Sequence, residues 1–356
     1  MRIDIDFDSK KTAFVQGIAL LMMLSLHLFH YPQWIDCSQV WYGIFINKNI
    51  EHITGEFGVL CINIFCFLSG YGWNIKYNER NFTVKHIIKI YIGYWLCLIS
   101  TIIIIGVLKV KPILSVNMKV NYLFEFLGFT QNISFFSWYV IFYLVAIILF
   151  PITNRYINDI KKLLIGIVMS FILHIAIWQI SNNIHINSTI YLILNKTTLY
   201  FPSILVGAFF QKKNYMNTMM KSNLKWLSTK AAIVFILVTY GGYVACNHFL
   251  HQQKIALFLF TVITPFFIVS LLKIENLIDI QIIRNLIIWI GKNSLFFWLL
   301  QAMIFYTNIQ KVFYLPRYSI FILIWTIIVL SPMVILLNCI YKYINKNVIG
   351  IFKKIL

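Results

Sequence analysis

Charge is the scarcest commodity in this sequence. Only 12% of its 356 residues are Asp, Glu, Lys or Arg, and acidic residues number 11. With 60% hydrophobic and 17% aromatic residues, so few charges cannot cover a soluble domain, and the chain is read as an integral membrane protein. The six cysteines, Cys37, Cys61, Cys66, Cys97, Cys246 and Cys339, lack the spacing of a zinc ligand set or a disulfide framework. They are read as small apolar packing residues, and no metal is expected. Linkers rich in Ser, Gly or Pro are missing, and so is an appended soluble domain. One membrane domain over residues 1–356 is therefore expected. The first apolar run has no small-residue cleavage site behind it, which makes it a retained helix and not a signal peptide.

Basic residues, by contrast, are plentiful: 30 Lys and Arg give a formal net charge of +19. They are scattered between apolar runs, so anionic lipid headgroups are the expected counter-surface and nucleic acid is not. A bilayer core needs about 20 apolar residues per helix, and windows of that size predict an all-α polytopic protein of about ten transmembrane helices. These lie near 13–31, 57–75, 87–108, 136–152, 163–180, 197–211, 231–247, 255–273, 284–306 and 319–341. With both termini cytoplasmic, 22 of the 30 basic residues fall on the inner side, which is the orientation that positive-inside topology favours. The longest outer segments are then 32–56 and 109–135. Abundant Ile, Asn and Lys are a compositional hint of an AT-rich bacterial genome.

Few residues in the apolar runs can carry chemistry. "KTAFVQGIALLMMLSLHLFHYP" places His27 and His30 inside the first helix, with His27 about 16 Å of helical rise beyond Gln16. An ionisable group there either faces a cavity or is satisfied by a helix-to-helix hydrogen bond. "GVLCINIFCFLSGYGWNIKY" ends in small residues that permit close helix approach. "RNFTVKHIIKIYIGYW" puts Lys85, His86 and Lys89 on one turn of a helix start. This is either positive-inside anchoring or a cradle for a polyanion. Trp138 opens "SWYVIFYLVAIILFP" at the outer end of the fourth helix, where an aromatic belt and a substrate platform are both compatible with it. In "IGKNSLFFWLLQAMIF", Ser294 and Gln301 stand seven residues apart and can face one interior seam, either to line a site or only to hold helices together.

In chain order these pieces resemble the membrane-bound acyltransferase-3 family, the O-antigen and polysaccharide O-acetyltransferases. "QGIALLMMLSLH" is similar to the family's opening helix, with His27 at its histidine position. "INIFCFLSGYG" resembles its Phe-rich stretch ending in Ser-Gly, and "HIIKIY" its RxxR segment. "SWYVIFYLVAIILFP" resembles its Trp-containing helix, and "IGKNSLFFWLLQ" its late Gly-x-x-Ser-Leu helix. The chain departs from the family at Gln16, where a cation is common, and at Asn63, where many members have Asp. It departs again at His86 and Lys89 in place of two arginines, and at Gln301, where a histidine is common. Replacing Arg by Lys or His keeps a charge available but loses the bidentate fork.

The resemblance implies that the protein moves an acyl group, by analogy acetyl, from cytoplasmic acyl-CoA to a hydroxyl of an extracytoplasmic or lipid-linked cell-surface glycan. His27 would be the catalytic base, as a neutral imidazole that takes a proton from the sugar hydroxyl. Lys85, His86 and Lys89 would hold the CoA phosphates, and Trp138, Ser294 and Gln301 would line the cavity. The competing reading is a flippase or exporter of lipid-linked polysaccharide. Against it stand the missing internal repeat, the missing pair of Gly/Pro-broken helices and the few charges within the helices. A glycan polymerase would need a large outer loop that this chain lacks.

Overall fold

The computed structural model describes residues 7–30, 41–43, 48–109, 122–130, 137–183, 188–221, 228–250, 253–304 and 309–355. Among them the chain is all-helical, apart from one isolated parallel bridge between Tyr42 and Tyr318. The described helices are α1 (Ser9–Ser25, continued by a π-helical turn, Leu26–His30), α2 (Asn49–Phe57), α3 (Cys61–Lys76), α4 (Phe82–Leu108), α5 (Tyr122–Leu127) and α6 (Trp138–Tyr156). They continue as α7 (Ile160–Asn183), α8 (Ser188–Lys212), α9 (Tyr215–Lys221), α10 (Thr229–Val244), α11 (Gln253–Glu275), α12 (Gln281–Lys292), α13 (Ser294–Ile304), α14 (Gln310–Phe313) and α15 (Ser319–Ile355).

Among the described residues, nine helical stretches are long and apolar enough to cross a membrane. They correspond to nine of the ten expected windows. The remaining window, 284–306, divides at Asn293 into the amphipathic α12 and the apolar α13. The second span is longer than expected, because α2 and a 3-10 turn (Gly58–Leu60) run directly into α3.

Two compact units emerge. The first comprises Met1–Met22, Phe57–Glu79 and Ile148–Lys292, and its centre is the packing of α3 on α8. Here the helix backbones touch. A Cβ at Gly70 would overlap the Ile204 carbonyl, and one at Gly207 would overlap that of Phe67. Only glycine permits this reciprocal approach, which in lipid replaces a hydrophobic driving force with close dispersion contact. Pro202 lies inside α8 and deprives the Thr198 carbonyl, four residues back, of its N–H partner. Ser170 of α7 supplies a hydroxyl donor at 2.7 Å instead. Asn63 is buried in the same unit, with Nδ2 3.0 Å from Ser203 Oγ, 3.1 Å from Thr261 Oγ1 and 3.3 Å from the Leu257 carbonyl. A carboxylate could donate nothing to that carbonyl, which gives a physical reason for an amide at this position.

The second unit comprises Met23–Glu56, Arg80–Ile147 and Asn293–Leu356. In it α4 packs on α13 and α15, with Gly93 against Leu295 and Tyr341. The segment 109–135, expected as an outer connection, contributes α5. The carbonyls of α5 accept hydrogen bonds from Tyr94 to Glu125 (2.7 Å), Trp95 to Phe126 (2.9 Å) and Tyr91 to Leu127 (3.2 Å). Trp95 stands about 20 Å along α4 from Leu108, so α5 folds back alongside the span. Both units carry large exposed apolar side chains, such as Ile165, Val168 and Met169 on α7 and Phe321, Ile324 and Ile328 on α15. Such faces are suited to contact with lipid.

Candidate active site

His27 ends up in the π-helical turn that closes the first span, and is 4% exposed. A π turn widens the helix and re-aims its side chains, and such turns concentrate at functional sites. Two contacts from distant segments hold this one in place. Gly55 of α2 lies against it, where a Cβ would stand 2.8 Å from the Ser25 carbonyl and 3.2 Å from the His30 nitrogen. The Tyr314 hydroxyl donates to the Leu28 carbonyl at 2.7 Å. Leu28 is near the helix end, where carbonyls lack an intrahelical partner.

The imidazole meets the fully buried Gln301 of α13. Nδ1 is 2.9 Å from the amide Oε1 and 2.8 Å from its Nε2. The bond therefore runs in one of two senses. If Nδ1–H donates to Oε1, the ring nitrogen Nε2 carries a lone pair and the side chain is a base. If the amide N–H donates to a bare Nδ1, the ring proton sits on Nε2 and the side chain is a donor. Proton abstraction at Nε2 requires the first sense. A purely structural histidine would make the same helix-to-helix bond, but the bond also fixes ring orientation, which catalysis needs.

His27, Lys85, His86, Lys89, Trp138, Ser294 and Gln301 all fall within the second unit. Gln301 is brought directly to His27. Ser294, on the same seam, is half-exposed at the first position of α13 and about 10 Å along the helix from Gln301, so it lies outside that contact. Trp138 is half-buried and packs edge-on to Tyr139 with centroids 5.7 Å apart. Tyr139 is the residue that reaches α13, with its ring 4.7 Å from that of Trp298, one turn before Gln301.

Lys85, His86 and Lys89 are half-exposed on the first turns of α4. The helix starts abruptly after Asn81, whose left-handed φ of 58° is one that Asn tolerates well. His86 Nδ1–H donates to the Phe82 carbonyl at 2.9 Å, and its ring lies 4.4 Å from that of Phe82. One of its nitrogens is thus committed to the helix start. Lys85 and Lys89, four residues apart, flank a helix N-terminus, where free N–H groups and the helix dipole attract anions.

His30, three residues beyond His27, pairs with His52, Nδ1 to Nδ1 at 3.1 Å. Glu125 of α5 is 1% exposed, a buried carboxylate that sequence reasoning also missed. A lone acid within "YLFEFLGF" was the available signal. Among the described residues no group of three His, Cys, Asp or Glu could hold a metal ion.

Searches of the curated proteins and of solved structures return no match. A family profile described as an acyltransferase domain matches residues 13–342. That interval reaches into every span from α1 to α15 and includes each candidate site residue, and the chain is a multi-pass membrane protein of the acyltransferase-3 family.

Proposed function

We propose that this protein transfers an acyl group, acetyl by family analogy, from cytoplasmic acyl-CoA to a hydroxyl of an extracytoplasmic or lipid-linked glycan at the bacterial cytoplasmic membrane, with both termini inside. The observation that carries the reading is the buried His27–Gln301 pair. It is a general base whose orientation is fixed by a second side chain, set on the outer part of the first span. Nε2 of His27 takes the proton as the hydroxyl oxygen attacks the thioester carbonyl. The C–O bond forms and the C–S bond breaks, and the departing CoA thiolate accepts a proton to leave as the thiol. A positioned base of this kind contributes typically about 10²–10⁴-fold.

Acyl-CoA is a polyanion, and the Lys85–Lys89 turn supports a role in holding its phosphates. Two ammonium groups four residues apart at a helix N-terminus match a polyphosphate as point charges rather than as a bidentate clamp. Tyr139 and Trp298 form an aromatic wall beside Gln301 that suits a sugar face, a role first assigned to Trp138. Ser294 would line the more distant part of the same seam.

The test is transfer of radiolabel from acetyl-CoA into membrane glycan by the purified protein in proteoliposomes. Label in glycan that depends on His27 supports acyl transfer. Movement of lipid-linked glycan across the bilayer without acylation would support the flippase reading instead.

A further inference from the structure

The first unit holds a cationic cluster that the acyl-transfer reading does not use. His174 of α7 is 1% exposed and pairs through Nδ1 with Thr198 Oγ1 of α8 at 3.2 Å. The Thr198 hydroxyl donates back into its own helix, 2.9 Å from the Leu194 carbonyl and 3.1 Å from that of Asn195, so it accepts the Nδ1 proton. His174 Nε2 is buried and finds no hydrogen-bond partner among the described residues. Lys196 stands two residues before Thr198, and its Nζ lies 5.8 Å from the Tyr200 ring centroid. Lys254, at the start of α11, places Nζ 5.0 Å from the Trp178 ring centroid, one turn beyond His174. Phe258, one turn on from Lys254, packs 5.7 Å from the His174 ring. Lys254 and Lys196 lie close enough to the His174 ring, and Lys254 to Lys196, for their charges to act there.

Three helices thus converge two lysines and a buried histidine. Helices α7, α8 and α11 carry no carboxylate to balance them except Glu275, at the other end of α11 and about 30 Å of helix away. Ionisable groups gathered at such depth mark a binding site more often than a packing feature. Two ammonium groups suit a phosphate. The buried Nε2 accepts from a P–OH when the ring is neutral and donates to a P–O⁻ when it is charged.

The position favours a lipid as the source of that phosphate. Trp178, 44% exposed, is the kind of aromatic residue that settles at headgroup depth. From Trp178 the apolar face of α7, with Ile175, Leu173 and Ile172 exposed, runs along the span where an acyl or prenyl chain would lie. The cluster also sits in the halves of α7, α8 and α11 opposite to Lys161, Lys212 and Lys273, which by the charge count is the outer half of the bilayer.

We propose that His174, Lys196 and Lys254 form a binding site for the phosphate headgroup of an outer-leaflet lipid, its tail lying along α7. The site stands independently of the acyl-transfer reading, and its test needs no activity. Purified full-length protein in detergent is titrated with dioctanoyl phosphatidic acid, dioctanoyl phosphatidylcholine or inorganic pyrophosphate, and thermal stability is followed. Phosphatidic acid should give a saturable rise in Tm, and the other two should not. Lys254→Gln should raise the half-saturating concentration roughly fivefold, and K196Q/K254Q should abolish saturation. Lys161→Gln, at the opposite end of α7, should respond as the wild type does. Native mass spectrometry of the lipid retained by Lys254→Gln gives a second readout if the double variant does not fold. An unchanged titration in Lys254→Gln overturns the site. An equal Tm rise with phosphatidylcholine, or with pyrophosphate alone, overturns its assignment to a lipid phosphate.

Discussion

His27 and Gln301, 274 positions apart in sequence, meet side chain to side chain in a buried contact. The contact orders an imidazole that would otherwise rotate about χ2, and it distinguishes the two ring nitrogens. In a membrane interior neither group can turn to water, so each is held by the other more firmly than at a surface.

If Gln301 positions the base, Gln301→Leu should lower kcat about tenfold, the cost of one buried hydrogen bond. KM for donor and acceptor should stay nearly unchanged. Gln301→His places an imidazole where the family commonly has one and should recover much of the loss. A fall in thermal stability with kcat intact would assign Gln301 to packing alone.

Replacement of His27 itself should be far more costly. His27→Ala should insert and fold, since deleting one buried imidazole leaves only the Gln301 amide to find another partner. Acyl transfer should nevertheless fall about 10²–10⁴-fold. His30→Ala is the control. His30 is paired with the exposed His52 and should leave most of the turnover in place. The comparison is made as glycan acylation by matched amounts of folded protein, and near-normal turnover by His27→Ala would place the base elsewhere.

The lysine pair on α4 predicts a different kinetic signature. Lys89→Glu puts a negative charge where a phosphate would sit and should raise KM for acyl-CoA on the order of tenfold, with little effect on KM for the glycan. Lys89→Arg should retain donor affinity or improve it, because a guanidinium grips phosphate at two points. Unchanged donor kinetics in Lys89→Glu would return the cluster to topological anchoring.

The spans were legible because length and apolarity alone define them, and His27 was legible because an ionisable group in such a run is costly. The division at Asn293 was not. Gly291, Lys292 and Asn293 interrupt the apolar pattern, but a 20-residue window averages them away. In the structure the Asn293 carbonyl starts α13 by accepting from Phe296 and Phe297. Its side-chain Oδ1 accepts from Asn338 of α15 at 2.6 Å. Docking of α5 on α4 was equally hidden, because Tyr91, Tyr94 and Trp95 reach backbone carbonyls, which carry no sequence signature. The inward face of Gln301 was readable from its place in an apolar run, whereas its partner lay in a helix 274 positions away.

Orientation rests on the distribution of Lys and Arg and can be checked directly. Single cysteines at Tyr42, which is 53% exposed, and at Lys48 should react with a membrane-impermeant maleimide in intact cells. Cysteines at Asn81 and Asn217 should react only after permeabilisation. The reverse pattern would put His27 on the cytoplasmic side and remove the reason for carrying an acyl group across the bilayer.

The π turn offers the last test, because its geometry depends on a residue with no chemistry of its own. Tyr314→Phe removes the hydroxyl that caps the Leu28 carbonyl and keeps the ring, which is 3% exposed. A buried carbonyl left without a donor costs about 1–3 kcal/mol, so the purified variant should melt at a lower temperature than the wild type. The turn that carries His27 would also lose one of its fixed points, Gly55 and Gln301 being the others. Turnover should therefore fall further than stability does when both are measured well below the melting transition. If Tyr314→Phe melts lower but transfers acyl groups at the normal rate, the turn is held by Gly55 and Gln301 alone.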